Sequence, residues 1–188
     1  MYVEEVMATA KTGSFRLTES LTIPDTSTSG TTVTGTIDLG AYINVASGQA
    51  IAIEEDDFIV QIGDDFSGPI SQVAAGDCSL NGQLLDLNNS NEFVRADDQS
   101  LIASHHLDVD QSNNVGTATQ DFYPDNMGPT NLSEAFLVVN DTLYFTVGID
   151  GSTAADDIHI TAVVKSRVVK LSKMDWMAIA IQSTADSN

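Results

Sequence analysis

Residues 157–171 alternate between apolar and polar side chains, and this two-residue period constrains the fold more than any other feature of the chain. The apolar set is Ile158, Ile160, Ala162 and Val164. The opposite set is His159, Thr161, Val163, Lys165 and Arg167. Successive side chains of a β-strand point to opposite faces, so the pattern predicts a strand with two distinct faces, one of them buried.

Shorter segments of the same kind recur along the chain and are separated by Gly, Asn, Asp and Pro, which favour turns. We predict further strands at residues 14–23, 32–43, 49–62, 70–73, 79–87, 101–109, 117–123, 135–139 and 142–149. The acidic run 54–57 predicts a bend or a solvent-facing corner. Asn140 and Asp141 predict a two-residue hairpin turn between the strands that flank them.

These short strands predict an all-β sandwich. Helical periodicity is confined to the two ends, where Ser172 and Asp175 resemble a capping box that opens a helix; the residues after them also alternate as a strand would. About 160 residues of strand and loop fit a single jelly roll of about eight strands in two sheets better than a seven-stranded immunoglobulin-like domain of about 100 residues. We therefore predict one jelly-roll domain over residues 1–188, with an N-terminal arm (1–13) and a short C-terminal tail element (172–188).

The chain carries 27 acidic and 7 basic residues, a formal net charge of −20. The Debye length is about 8 Å at physiological ionic strength and about 3 Å in molar salt, so salt suppresses the repulsion among these carboxylates. We interpret the composition as adaptation to brine, with an acidic disordered tail and a divalent-cation binder as alternatives. A tail is disfavoured because the carboxylates are scattered and 42% of the chain is apolar. Nucleic acid is an unsuitable partner, because its phosphates bind basic faces.

No segment approaches the roughly 20 apolar residues that span a bilayer. Glu4 and Glu5 stand where a signal peptide would have its basic and apolar regions. We therefore expect a protein that is made in soluble form and is not exported by its own N-terminus.

Cys78 is the only cysteine, which excludes an intramolecular disulfide. A lone cysteine is most often a small buried apolar residue. The surrounding Ala-Gly-Asp-Cys-Ser-Leu-Asn-Gly indicates a loop edge instead, which makes Cys78 a candidate for an intermolecular disulfide.

The sequence contains no convincing catalytic arrangement, so we predict that the protein is not an enzyme. His105 and His106 are adjacent and would point to opposite faces of a strand, and His159 is far from them in sequence. A cupin-type metalloenzyme would need several His and Glu side chains converging on one metal. We expect no cofactor.

Asp108 and Asp110 have the alternate spacing of oxygen ligands that a hard cation prefers, without the glycine and glutamate of an EF-hand loop. They are the candidate ligands of a structural Na⁺, K⁺, Ca²⁺ or Mg²⁺ ion. In a chain this acidic, such neighbouring carboxylates are expected without any site.

Lys165, Arg167, Lys170 and Lys173 place four of the seven basic residues within nine positions. One interpretation is that they protect an edge strand from pairing with another chain. The other is a basic contact patch that binds anionic lipid headgroups or the acidic surface of another copy.

The signal-less acidic chain of 20.0 kDa, the jelly-roll pattern and the missing active site together resemble a family of capsid proteins. The family is the smaller major capsid protein of haloarchaeal icosahedral viruses with an internal membrane, the sphaerolipovirus group. The most similar segments are Asp141-Thr-Leu-Tyr-Phe-Thr-Val and Ile158-His-Ile-Thr-Ala-Val-Val-Lys.

The resemblance implies a single jelly roll that stands upright in the capsid shell of the virion and is assembled in the cytoplasm of a halophilic host. It implies homodimers, heterodimers with a larger capsid protein, pseudo-hexameric capsomers and contact with the internal viral membrane. The alternative is a cell-surface or secreted halophilic β-sandwich, serving as an adhesin or a carbohydrate-binding module.

Overall fold

The computed structural model describes residues 8–120 and 135–185, which form ten strands, one α-helix and two short 3₁₀ turns. The strands are β1 (Thr9–Ala10), β2 (Phe15–Ile23), β3 (Thr31–Asp38), β4 (Gln49–Ile62), β5 (Cys78–Leu85), β6 (Leu101–Asp110), β7 (Val115–Gln120), β8 (Phe136–Val138), β9 (Thr142–Asp150) and β10 (Ile158–Lys170). The helix is α1 (Lys173–Ala185). The part of the predicted N-terminal arm before residue 8, and residues 121–123 of one predicted strand, lie outside the described residues.

The strands form two antiparallel sheets. Sheet A has the order β2-β10-β4-β8, and the short β1 pairs with β10 beyond the end of β2. Sheet B has the order β3-β9-β5-β6-β7.

The pairing is nested: β2 pairs with β10, β3 with β9, β4 with β8, and β5 with β6. This is the pattern of one long antiparallel hairpin wrapped into two packed sheets, which is the eight-stranded jelly roll, and β7 extends sheet B at its edge. The strand order of the chain itself therefore confirms the predicted jelly-roll sandwich.

The predicted alternation of β10 is confirmed. Its even-numbered residues from Ile158 to Val168 are buried between the sheets, while its odd-numbered residues up to Arg167 are only partly buried. The opposing layer comes from β9, where Leu143, Phe145 and Val147 are fully buried in the same core cluster.

β4 runs as one continuous strand through the acidic run 54–57, so the predicted solvent-facing corner is wrong, and the only bend in the run is the local kink of a β-bulge. Glu54 has no partner residue on β10 and forms a β-bulge. Ile51 and Ile53 face the core before the bulge, and Phe58 and Ile62 face it afterwards. Because the side-chain period is two, odd and even positions can both face the core only if one extra residue separates them.

The C-terminal tail element is a helix, not a strand. Ser172 caps it: its hydroxyl accepts from the Asp175 amide at 3.1 Å and donates to the Asp175 carboxylate at 2.7 Å. Trp176, Ile179 and Ala180 pack on the outer face of sheet A. The small second core that they form there includes Ala50, Ala52, Val139, Val169 and Leu171. No helix in the described residues is long and apolar enough to cross a membrane.

The loop between β5 and β6 covers part of the outer face of sheet B. The side-chain amide of Gln83 makes two hydrogen bonds with the backbone of Val94, at 2.8 and 2.9 Å. Gly148 leaves space for the Phe93 ring, which would lie only 3.0 Å from an added Cβ.

Two local predictions are wrong because neighbouring segments pair elsewhere. Asn140 and Asp141 connect β8 in sheet A to β9 in sheet B, so they cross between the sheets and do not form a hairpin. Residues Ile70–Gln72 form a 3₁₀ turn instead of a strand.

Candidate functional site

The three histidines are held apart, each with its own structural surroundings. His106 Nδ1 bonds Asn81 Oδ1, and its Nε2 lies 2.9 Å from Asp108 Oδ1. His159 Nδ1 shares a 2.8 Å hydrogen bond with Thr22 Oγ1 on the outer face of sheet A. These contacts orient the imidazoles within the sheets. Ser79 also lies beside Asp108 and His106, but its hydroxyl bonds the Asp108 carboxylate and not the imidazole, so these three residues lack the serine–histidine hydrogen bond of a catalytic triad.

His105 is buried between the sheets, where its ring stacks on Phe58 with centroids 5.7 Å apart. Neither ring nitrogen has a hydrogen-bond partner among the described residues. Burial, together with the neighbouring His106, lowers the pKa of His105 below its ordinary value. The ring therefore behaves as a neutral core aromatic.

Cys78 is the first residue of β5, directly after a loop, and its side chain belongs to the main core. Only 6% of the residue is exposed. Burial, and then the charges of Asp77 and Asp108, raise the pKa of its thiol. A disulfide to another chain needs an accessible thiolate, so this burial disfavours the predicted intermolecular disulfide.

The carboxylates of the cation candidates are bonded to protein donors. The Asp108 carboxylate accepts a hydrogen bond from Ser79 Oγ at 2.8 Å. The Asp110 carboxylate accepts one from the Asn113 side-chain amide at 2.7 Å and one from the Asn113 backbone amide at 3.0 Å. The Asn113 hydrogen bonds lower the pKa of Asp110. In the described part of the chain, no three His, Cys, Asp or Glu side chains gather as metal ligands.

The predicted basic patch is divided into two parts. Lys165 lies 3.2 Å from Glu55, and Arg167 pairs with the bulge residue Glu54, which Ser14 also contacts at 2.7 Å. Because β2 and β4 flank β10 on both sides, these residues do not protect an edge strand. They neutralise the acidic run of β4 instead.

Lys170 and Lys173 form the other part of the patch. Both are exposed at the junction of β10 and α1, and neither forms an ion pair with another described residue. Lys11 is close to this junction, since its amide donates to the Val168 carbonyl. The start of α1 is therefore the most basic part of the described surface.

α1 is apolar on its outward side as well, a feature that the sequence reasoning missed. Met174, Met177 and Ile181 are 80%, 60% and 63% exposed, and Ala178 lies beside them. The spacing i, i+3, i+4, i+7 places these side chains in one stripe. The sequence did contain a signal for this exposed stripe, because the capping residue Ser172 is followed by apolar residues on all sides of the helix.

The opposite end of the sandwich, which we call the acidic end, collects aspartates from the turns and strand ends. They are Asp25, Asp64, Asp65, Asp77, Asp108, Asp110, Asp150, Asp156 and Asp157. All seven Lys and Arg residues of the chain lie elsewhere in the described structure. Ser29 and Gly151 donate to Asp150 and lower the pKa of its carboxyl.

The chain matches no protein-family profile. It also matches no curated protein sequence.

Among solved structures, it is similar to VP1 of Trichodysplasia spinulosa-associated polyomavirus in complex with sialylated glycooligomers, with 10% identity, a TM-score of 0.42 and coverage of 88% of this chain and 99% of that one. For Desmodium yellow mottle tymovirus the identity is 7%, the TM-score 0.33 and the coverage 87% and 92%. For dimeric latent PorU from Porphyromonas gingivalis the identity is 11%, the TM-score 0.33 and the coverage 87% and 14%. Similarities this distant carry no argument about function, and the fold assignment rests on the strand order alone.

Proposed function

We propose that the protein is a structural component of a viral capsid, located in the virion shell, and that it works by self-assembly without catalysis. The observation that carries the proposal is the nested strand order of the jelly roll, an architecture that viral capsid proteins use. A fold alone does not define a function, so the surface must supply the rest of the argument.

The surface supports an assembling protein. An apolar stripe on α1 is exposed in a chain that otherwise presents mainly carboxylates and hydroxyls. Contiguous exposed apolar residues beside charged ones are typical of interaction sites. The histidines and the cysteine are occupied by packing and hydrogen bonds, which fits a role in assembly better than one in catalysis.

The finer part of the proposal follows the resemblance to the sphaerolipovirus group. We propose a halophilic virus with an internal membrane, in which this chain forms homodimers and also pairs with a larger capsid protein. The net charge of −20 supports the halophilic assignment, because molar salt screens the repulsion that assembly of such chains must overcome.

Dialysis of the purified protein into about 3 M and about 0.1 M NaCl, followed by size-exclusion chromatography and electron microscopy, tests the capsid proposal. We expect sheets or shells in high salt and dissociation in low salt. A protein that stays monomeric in both and binds glycans contradicts the proposal and supports the adhesin or carbohydrate-binding alternative.

A further inference from the structure

The outer face of sheet A has two different halves. One half lies under α1, where Trp176 and Ile179 contact the ends of β4, β8 and β10. The other half, toward the acidic end, has no described strand or helix over it. Because α1 adds a layer roughly 10 Å thick over one half only, the outer face has the shape of a step.

The uncovered half carries exposed apolar side chains with carboxylates beside them. Ile59 points outward from β4 and is 47% exposed. Phe66 is 53% exposed, and its ring packs edge-on against His159 of β10. Asp57 lies on the same strand as Ile59, while Asp64 and Asp65 directly precede Phe66.

The α1 half has the complementary character. Its raised surface is the apolar stripe of Met174 and Met177, with Lys173 at the start of the helix and Lys170 just before it. The two halves of the face are therefore complementary in shape, both carry exposed apolar side chains, and their charges are opposite in sign.

We propose that two copies of this chain pair face to face through the outer faces of sheet A, related by a twofold axis, so that α1 of each copy lies on the uncovered half of the other. The inference deepens the proposed function, on which it rests for the biological role of the dimer. Such an interface is isologous, because both copies use the same surface. The α1 stripe of each copy contacts Ile59 and Phe66 of the other, so the same contact occurs twice.

Strand geometry gives the location of the axis. Ile59 is opposite Thr161, whereas α1 covers Val169, eight residues further along β10. At about 3.3 Å per residue, the two contact sites are roughly 26 Å apart, and the axis passes midway between them, near Lys165. Glu55 and Lys165, which pair within one copy, therefore approach the same pair of the partner copy.

Charge favours a second copy as the occupant. A chain with a net charge of −20 repels its own kind over most of its surface, so a stable self-contact must put basic groups against acidic ones. This arrangement brings Lys170 and Lys173 toward Asp57, Asp64 and Asp65. Antiparallel pairing also separates the two acidic ends.

Site-directed crosslinking tests the geometry directly. One preparation carries Ile59→Cys and another carries Met177→Cys, and both are oxidised alone and as an equimolar mixture at high salt. We expect a covalent dimer mainly in the mixture, since the proposed contact joins position 59 of one copy to position 177 of the other. Crosslinking of the Met177→Cys chain alone, to the same extent as the mixture, indicates helix-to-helix pairing and overturns the proposal. The unsubstituted chain controls for the buried Cys78.

Sedimentation equilibrium tests the contribution of the stripe. We expect Met174→Glu with Met177→Glu to raise the dimer dissociation constant by about tenfold or more. Because both side chains are exposed, thermal unfolding is expected to stay unchanged at protein concentrations where both chains are monomeric. The matched control compares the single changes Met177→Glu, on the stripe, and Val115→Glu, on the edge strand of sheet B, since these residues are 60% and 50% exposed. Equal effects of these two single variants contradict the proposal.

The other occupant to examine is a lipid surface. If the unsubstituted chain is monomeric but binds phosphatidylglycerol vesicles, and if the Met174→Glu, Met177→Glu variant loses that binding, the stripe is a lipid-binding surface and the dimer proposal is wrong. Failure of the capsid proposal gives a different result: crosslinked dimers form between positions 59 and 177, yet no larger assembly appears at any salt concentration.

Discussion

At the scale of single residues, two buried side chains of the described structure besides Cys78 have pKa values that are shifted in the direction that opposes ionisation. Asp86 lies just after β5 and is buried. Its backbone carbonyl accepts a 3.0 Å hydrogen bond from the side-chain amide of Asn140. Burial raises the pKa of its carboxyl to about 7, with a smaller contribution from Asp98, and hydrogen bonds partly offset this. His105 is the other group, and burial lowers its pKa.

Asp86→Asn is expected to stabilise the protein at neutral and alkaline pH. Between about pH 4 and about pH 7, Asp86 has lost its proton in the unfolded chain but keeps it in the folded chain. The free energy of unfolding therefore falls as pH rises through this range, and it levels off above the folded-state pKa. The pH-dependent difference between variant and parent amounts to at most roughly 4 kcal/mol. Denaturant unfolding at constant high salt from pH 4 to pH 8 measures it. A difference that does not change with pH contradicts the raised pKa.

His105→Phe is expected to remove a loss of stability in acid. Below the ordinary pKa of 6.5, the unfolded chain binds a proton at His105 that the folded chain excludes, so stability falls by up to about 1.4 kcal/mol per pH unit. The variant keeps an aromatic ring against Phe58 and cannot bind that proton. Unfolding at pH 7 and pH 5 checks the prediction, with His159→Phe, on the outer face, as the matched control that keeps the acid-dependent loss.

At the scale of elements, the bulge in β4 combines a packing function with an electrostatic one. It brings Ile51, Ile53, Phe58 and Ile62 to the same core, and it leaves Glu54 on the outer face against Arg167 of β10. The acidic run and the basic residues that the sequence presented as separate features are thus partners across one strand pair.

Arg167→Met is expected to destabilise the fold by about 3 kcal/mol, because it leaves the Glu54 carboxylate buried without its cation. Adding Glu54→Gln is expected to recover more than half of that loss. The matched cycle uses Lys165 and Glu55, which are more exposed and for which the coupling energy is expected to stay below about 1 kcal/mol. Equal coupling energies in the two cycles contradict the distinction between a buried and an exposed pair.

At the scale of the whole molecule, charge is distributed unevenly along the sandwich. Among residues 8–120 and 135–185, the acidic end holds nine aspartates and no Lys or Arg, whereas lysines lie near the start of α1. Repulsion within the acidic end opposes folding, and salt suppresses it over distances beyond the Debye length.

We expect the midpoint of thermal unfolding to rise steeply with salt between about 0.1 M and about 1 M NaCl, where the Debye length shortens most. Replacing Asp64 and Asp65 by Asn is expected to reduce that slope. The same change at Asp97 and Asp98, beside Arg95, removes two charges from a region that already contains a cation, so its effect is expected to be smaller. Equal reductions in the two variants contradict a localised acidic end.

Much of this molecule follows from local sequence patterns. The period of two along residues 158–168 determined both the strand and the face that it buries, because side-chain direction depends only on the backbone of that segment. Strand positions and the all-β class were predictable for the same reason, and the net charge follows from composition.

Only the tertiary structure decided which segments meet. Asn140 and Asp141 have hairpin character, yet the strands on either side pair in different sheets. Cys78 stands among loop-forming residues, yet β5 directs its side chain into the core. Residues 173–185 fit a strand or a helix until contact with the outer face of sheet A selects the helix. Sequence patterns encode which way a side chain points, whereas its burial, its ion-pair partner and the sheet of its strand depend on residues far away in the chain.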